Sequence, residues 1–182
     1  FQRTPNHVMP AVQQPITAER DKEIKANYPA IMDKCRHHVF GMAFDSPVGR
    51  NLADTPIDEV QSILEAHYPR GSFSFVFETF DDLLSNEQSN QAVADFLADK
   101  VREKVDDPET AELLIPRGYP LFAKRPPLDH GYYEAFNRDN VHLVDIKQRE
   151  PIEKMTASGI RTRARDYEFD IIVLATGFQA YT

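Results

Sequence analysis

Two adjacent cations followed by two prolines, Lys124-Arg125-Pro126-Pro127, constrain this 182-residue chain more than any other feature. Each proline fixes its own φ and holds the residue before it out of the α region. The cations therefore stand on a stiff, extended segment. Turn chemistry opens the stretch at Gly118 and Pro120. A short amphipathic helix carrying Tyr132, Tyr133 and Phe136 is expected next, then an Asn-Arg-Asp-Asn turn and a buried strand at 141–144.

Composition narrows the class. The chain is 41% hydrophobic and 27% charged with a net charge of −8, an acidic balance that argues against a nucleic-acid surface. Its length suits one domain, or one and a half, with a real core. No apolar run approaches the ~18–20 residues of a membrane helix, and no signal peptide opens the chain, so no membrane partner and a cytoplasmic location are expected. The single cysteine, Cys35, excludes an internal disulfide, fits a reducing compartment and reads as an inert helical thiol. The six histidines, including His37-His38, never reach chelating spacing, so no metal is expected. None of the seven glycines forms a Gly-x-Gly-x-x-Gly turn. The chain starts at Phe1-Gln2-Arg3 as though a strand had just ended and stops after Gly177-Phe178. It reads as a piece of a larger protein.

Between the two ends the pattern is helical. Thr17 can cap a helix over 18–27, which Pro29 splits from a second over 30–38. A Gly/Pro/Ser loop covers 40–51. Thr55 is expected to cap a helix with Pro56 at its first position and Ile57, Val60, Ile63 and Leu64 on one face. The Phe-rich stretch 73–84 is read as helical and as core. Ser85 with Gln88 suggests a capping box for the clearest helix, 86–105, whose Val93, Phe96, Leu97, Val101 and Val105 recur at helical spacing. Asp107-Pro108 starts a last short helix that Pro116 stops.

After 145 the chain turns β-rich. A hairpin is expected over 151–164, turning at Ala157-Ser158-Gly159. Residues 169–174, FDIIVL, form a continuous apolar run of the kind buried on both faces of a parallel sheet. Ala175, Thr176 and Gly177 close it, and a glycine at a strand's carboxyl end lets backbone approach a phosphate or a ring.

Three blocks, FQRTPN at 1–6, GYPLFAKRPPLDHGYYEAFNRDNVHLVD at 118–145 and DIIVLATGF at 170–178, resemble in this order the Baeyer–Villiger monooxygenases. These flavin enzymes use NADPH and O2 to turn ketones into esters or lactones. The resemblance implies an α/β fold: a partial Rossmann-like NADPH-binding domain at 1–12 and 118–174, interrupted by an all-helical insertion at 13–117. Residues 175–182 would cross back toward an FAD domain. By themselves, Arg3-Thr4 and Lys124-Arg125 read as solvated loop cations. The resemblance assigns Arg3, Thr4 and Lys124 to the 2′-phosphate of NADPH, where a guanidinium fork suits a dianion. It makes Arg125 the catalytic arginine beside flavin and nicotinamide, because a permanently charged guanidinium stabilises the anion that attacks the ketone. Ala175, Thr176 and Gly177 fall at the cofactor-binding crossover. Asp129 is expected to cap the short helix that the tyrosines pack, and Asp170 to be structural. With the Gly-rich turns missing, the chain alone is expected neither to bind FAD nor to turn over. Two rivals remain: a flavin monooxygenase that oxygenates nitrogen or sulfur, and a non-catalytic helical interaction module.

Overall fold

The computed structural model describes residues 1–177, which combine helix and strand in two units, Pro5–Val141 and Phe1–Thr4 joined to 142–177. In the larger unit the helices begin where a short polar side chain can take the orphan amides of a first turn. Thr17 accepts from the Arg20 amide and opens α1 (Ala18–Ala26). Pro29 sits in the first turn of α2 (Tyr28–His37), where its missing N–H costs nothing. Asp107 accepts from the Thr110 amide and opens α6 (Pro108–Leu114).

Two expected caps are corrected. The Thr55 hydroxyl donates back to the Asn51 carbonyl at 2.7 Å, and α3 (Ile57–His67) starts without a side-chain cap. Asn86, not Ser85, caps α5 (Glu87–Lys104), accepting from the Gln88 and Ser89 amides at 2.9 and 3.2 Å. Ser85 instead turns its hydroxyl to the Asp82 carbonyl. Where two capping residues stand side by side, the backbone path decides which one serves.

The core gathers Met9, Val60 and Leu64 of α3, Phe75 and Val76 of α4 (Ser74–Phe77), Phe80, Leu83, and Val93, Phe96 and Leu97 of α5. The Phe-rich stretch is thus core, but only one turn of it is helical. The carboxylates that follow explain why. Asp81 accepts from the amides of Val48, Gly49 and Arg50, and Asp82 from those of Leu52 and Ala53 and from the Ser89 hydroxyl at 2.6 Å. Those bonds draw 78–84 out of helical geometry to hold the 45–53 loop. Ile57, expected on the buried face of α3, is 74% exposed. β1 (Met9–Pro10) pairs in parallel with β2 (Leu128–Asp129), Met9 opposite Leu128.

In the smaller unit the expected hairpin forms as β3 (Ile152–Met155) and β4 (Gly159–Thr162), and β5 (Asp166–Glu168) adds a third antiparallel strand. Gly159 is required there, since a Cβ would lie 1.9 Å from the Tyr167 carbonyl oxygen. Arg161 grips Asp166 with two 2.5 Å bonds. Phe1 packs edge-on against Tyr167 and Phe169.

Two expected strands are corrected. Residues 141–144 are not a strand; the parallel link there is a single bridge, with the Gln2 amide donating to the Val144 carbonyl and the Ile146 amide to the Gln2 carbonyl. Residues 169–174 form no strand either, and Ile171, Val173 and Leu174 are 80%, 81% and 74% exposed. A strand of this composition needs ladder partners on both edges, and no described strand pairs with it. Phe178 lies outside the described residues. No helix among the described residues is long and apolar enough to cross a membrane.

Candidate functional site

Lys124 and Arg125 leave the larger unit on a backbone tied from both directions. Upstream, the Asn90 side chain on α5 brackets Leu121: its Oδ1 accepts from the Leu121 amide at 2.8 Å and its Nδ2 donates to the Leu121 carbonyl at 3.1 Å. The same Nδ2 donates to the Leu83 carbonyl at 3.0 Å. Phe122 then takes a left-handed φ of 71° while its ring packs on Phe73 and Phe77. A non-glycine holds that conformation, at a cost of about 1–3 kcal/mol, only where its surroundings over-determine it.

Downstream, the Asn6 Nδ2 donates to the Arg125 carbonyl at 3.0 Å and the Met9 amide to the Pro127 carbonyl at 2.9 Å. The Tyr119 hydroxyl donates to the Pro5 carbonyl at 2.5 Å and reaches the Asn6 Oδ1 at 3.2 Å. His7 lies edge-on to Tyr119, and its burial lowers its pKa. The first residues of this unit thus serve as a brace for the cation-bearing segment.

Asp129 anchors the far end. It is buried, accepts from the amides of Gly131 and Tyr132, and pairs with Lys104 at 2.6 Å. Burial works to lower the Lys104 pKa, but the bond to Asp129, with Tyr68 and Glu134 nearby, holds it above the usual lysine range. The expected cap is corrected: Asp129 holds the turn at Gly131 and Tyr132, while the helical turn that follows has no side-chain cap, and of the two tyrosines Tyr133 is buried but Tyr132 is exposed. The helix itself is a single 3-10 turn at Glu134–Asn137.

Both site cations are exposed on this held backbone. The Lys124 ammonium lies 4.4 Å from the centroid of the Tyr119 ring, a contact worth about 0.5–1 kcal/mol at an exposed site. Among the described residues, no carboxylate pairs with Lys124, Arg125 or Arg3. Lys100, Arg102 and Lys104 of α5, by contrast, are all in ion pairs. A cavity of about 940 Å³ runs along α5, lined by His7, Asn90 and Tyr119 among others, but neither Lys124 nor Arg125 lines it.

The smaller unit carries the remaining predicted positions. Arg3 and Thr4 extend from the Gln2 bridge, Arg3 exposed and Thr4 half-buried. Ala175, Thr176 and Gly177 are exposed, and Gly177 has a left-handed φ of 82°, which glycine adopts without penalty. Lys124 and Arg125 thus belong to one unit, and Arg3, Thr4 and Ala175 to Gly177 to the other.

Asn90, Asn6, Tyr119 and the Lys104–Asp129 pair escaped the sequence reading. Asn90 is buried on a helix side that is apolar from Val93 onward, with Ser89 the other buried polar residue of α5. A polar residue in that stripe is the one signal that could have marked it.

No protein-family model matches the chain. Curated relatives do. A 2-oxo-Δ3-4,5,5-trimethylcyclopentenylacetyl-CoA monooxygenase of Pseudomonas putida is 40% identical over all of this chain and 33% of its own length. A Baeyer–Villiger monooxygenase of Pseudooceanicola batsensis is 38% identical over 99% of this chain and 33% of its own length. A phenazine N-monooxygenase of Lysobacter antibioticus is 35% identical over 98% of the chain. The crystal structure of OTEMO in complex with FAD and NADP superposes with a TM-score of 0.94 at 39% identity, covering all of this chain and 33% of that one. The chain therefore spans about a third of the length of the curated relatives it matches. Along that third, by sequence and by fold alike, it is a homologue of the Baeyer–Villiger monooxygenases.

Proposed function

We propose that this chain is the NADPH-binding and helical part of a cytoplasmic, flavin-dependent monooxygenase that inserts one oxygen atom beside a ketone carbonyl. The ketone would become an ester or lactone. One atom of O2 enters the product, and the other leaves as water at the expense of NADPH and a proton. Residues 1–12 and 118–174 would form a Rossmann-like NADPH domain, 13–117 the helical insertion and 175–182 the return toward an FAD domain. The observation that carries this reading is the exposed, carboxylate-free Lys124-Arg125 pair on a braced backbone, in a chain homologous to such enzymes.

The residues fit the cofactors. A 2′-phosphate is a dianion, and the guanidinium of Arg3, the hydroxyl of Thr4 and the ammonium of Lys124, which the family resemblance assigns to it, are donors that no carboxylate among the described residues pairs with. Ala175, Thr176 and Gly177 offer open backbone to a cofactor. FAD and NADPH, when bound, supply the electrons and the centre that activates oxygen. Arg125 acts on the charge. A guanidinium is a permanent cation, so it stabilises the negative charge that develops as oxygen attacks the carbonyl. A rigid backbone beneath it means that little reorganisation is needed during the reaction.

The test uses a full-length flavoprotein that contains this chain, given NADPH, O2 and a panel of ketones. Arg125→Ala should still oxidise NADPH but lose ester formation; retained ester formation overturns the catalytic role. Arg3→Ala with Lys124→Ala should weaken NADPH far more than NADH, since each charge-assisted phosphate contact contributes about 1.5–3 kcal/mol. The similarity to a phenazine N-monooxygenase supports a second reading, oxygenation of nitrogen. Products from heteroaromatic amines, with ketones left intact, would select it.

A further inference from the structure

Asn90 and Asn6 stand on distant parts of the chain, yet each spends its side-chain amide on the backbone that bears Lys124 and Arg125. We infer that these two asparagines are positioning residues, which set the direction in which the phosphate-binding lysine and the catalytic arginine leave the scaffold. The inference rests on the roles of Lys124 and Arg125 given above.

The geometry argues for this in three steps. An amide side chain carries a donor and an acceptor side by side, so it can occupy both the N–H and the C=O of one residue as a neighbouring strand would. Asn90 does this to Leu121, whose side chain is 2% exposed. Leu121 is thereby held in orientation as well as in place. Phe122 follows with φ 71°, so the chain reverses at a residue that would relax to negative φ if released. Two residues later come the cations.

Asn6 closes the other side. Its Nδ2 holds the Arg125 carbonyl at 3.0 Å while its Oδ1 lies 3.2 Å from the Tyr119 hydroxyl, whose ring supports the Lys124 ammonium. Lys124 and Arg125 therefore lie between two amide clamps with a proline behind them. Asn90 also holds the Leu83 carbonyl, which ties this arrangement to the packed side of α5. Neither asparagine needs to touch a cofactor. A loss of either would let the arginine and lysine swing together, and a displacement of ~1 Å at a reacting group costs up to about 100-fold in rate.

The test is made on the full-length, flavin-loaded protein, with two readouts. The first is calorimetric: the ratio of NAD⁺ to NADP⁺ dissociation constants on the oxidised protein, which involves no turnover. The second is ester formed per NADPH oxidised. Asn90→Ala should lower both by about tenfold or more, and Asn6→Ala should lower both in the same direction by less. Ser89→Ala, which removes a buried bond to Asp82 on the adjacent α5 position, should destabilise the fold while leaving both ratios unchanged. Unchanged ratios in both asparagine variants overturn the inference, whatever they do to the melting temperature. If Asn90→Ala does not fold, Asn6→Ala decides alone. If Lys124→Ala and Arg125→Ala also leave both ratios unchanged, the roles of the cations themselves have failed, a different result from loss of positioning.

Discussion

Two apolar stretches of this chain look equally buried on paper. Residues 73–83, with Phe73, Phe75, Val76, Phe77, Phe80 and Leu83, are core: Phe75 is 0% and Phe80 2% exposed. Residues 169–174, with Phe169, Ile171, Ile172, Val173 and Leu174, stand largely in solvent. The difference lies in the partners. The first stretch meets α3, α5 and Met9, all within its own unit. The second has the composition of a central strand, but no described strand lies against it. Hydrophobicity states what a segment gains from burial; it does not supply the surface that buries it.

The sharpest way to break this comparison is to truncate one residue in each stretch. Phe75→Ala should cost about 3–5 kcal/mol, because the ring is fully enclosed and its neighbours on α3 and α5 cannot collapse onto the space. Urea denaturation of the chain would read it. A cost under about 1 kcal/mol would mean that the aromatic cluster is loosely packed.

A smaller effect concerns the carboxylate that holds the 45–53 loop beside that core. Burial works to raise the Asp82 pKa, but the bonds from Ser89, Leu52 and Ala53 bring it below its ordinary value of 3.8. A depressed folded pKa adds stability that is fully present above the unfolded value and is lost as pH falls through the folded one. Acid unfolding should therefore steepen below about pH 4. Asp82→Asn should flatten that limb and cost about 1–2 kcal/mol at neutral pH. An acid limb unchanged by the substitution would locate the sensitivity in another carboxylate.

The smallest effect completes the contrast. Ile171→Ala should change the stability of this chain by no more than about 0.5 kcal/mol, since its side chain is already 80% exposed. A loss like that of Phe75→Ala would show that this segment is buried in solution.

How much was legible beforehand follows the range of the interactions. The Thr17 cap, the Asp107-Pro108 helix start, the Pro29 break, the α5 stripe and the 151–164 hairpin rest on neighbours a few residues apart, and the structure agrees with the sequence on each. The length of α4 is not legible in the sequence, because the deciding bonds run between Asp81 or Asp82 and backbone some thirty positions earlier, whereas the Ser85–Asn86 choice turns on the local backbone path between two adjacent capping residues. For the candidate site, Lys124 and Arg125 drew attention through their charge and the prolines behind them. Asn90, Asn6 and Tyr119 did not, because an asparagine in a helix or a loop carries no mark of the carbonyl it will hold.

By itself, then, the sequence determined most of the local elements, a run of helices and a later hairpin, and a cation pair on a stiff segment, since propensity, capping and proline geometry act over a few residues. Only the tertiary structure decided which apolar runs are enclosed, which carboxylates hold loops, and how the Lys124-Arg125 backbone is clamped from residues 6 and 90. Those outcomes depend on donors and acceptors far apart in the chain, and only the fold pairs them.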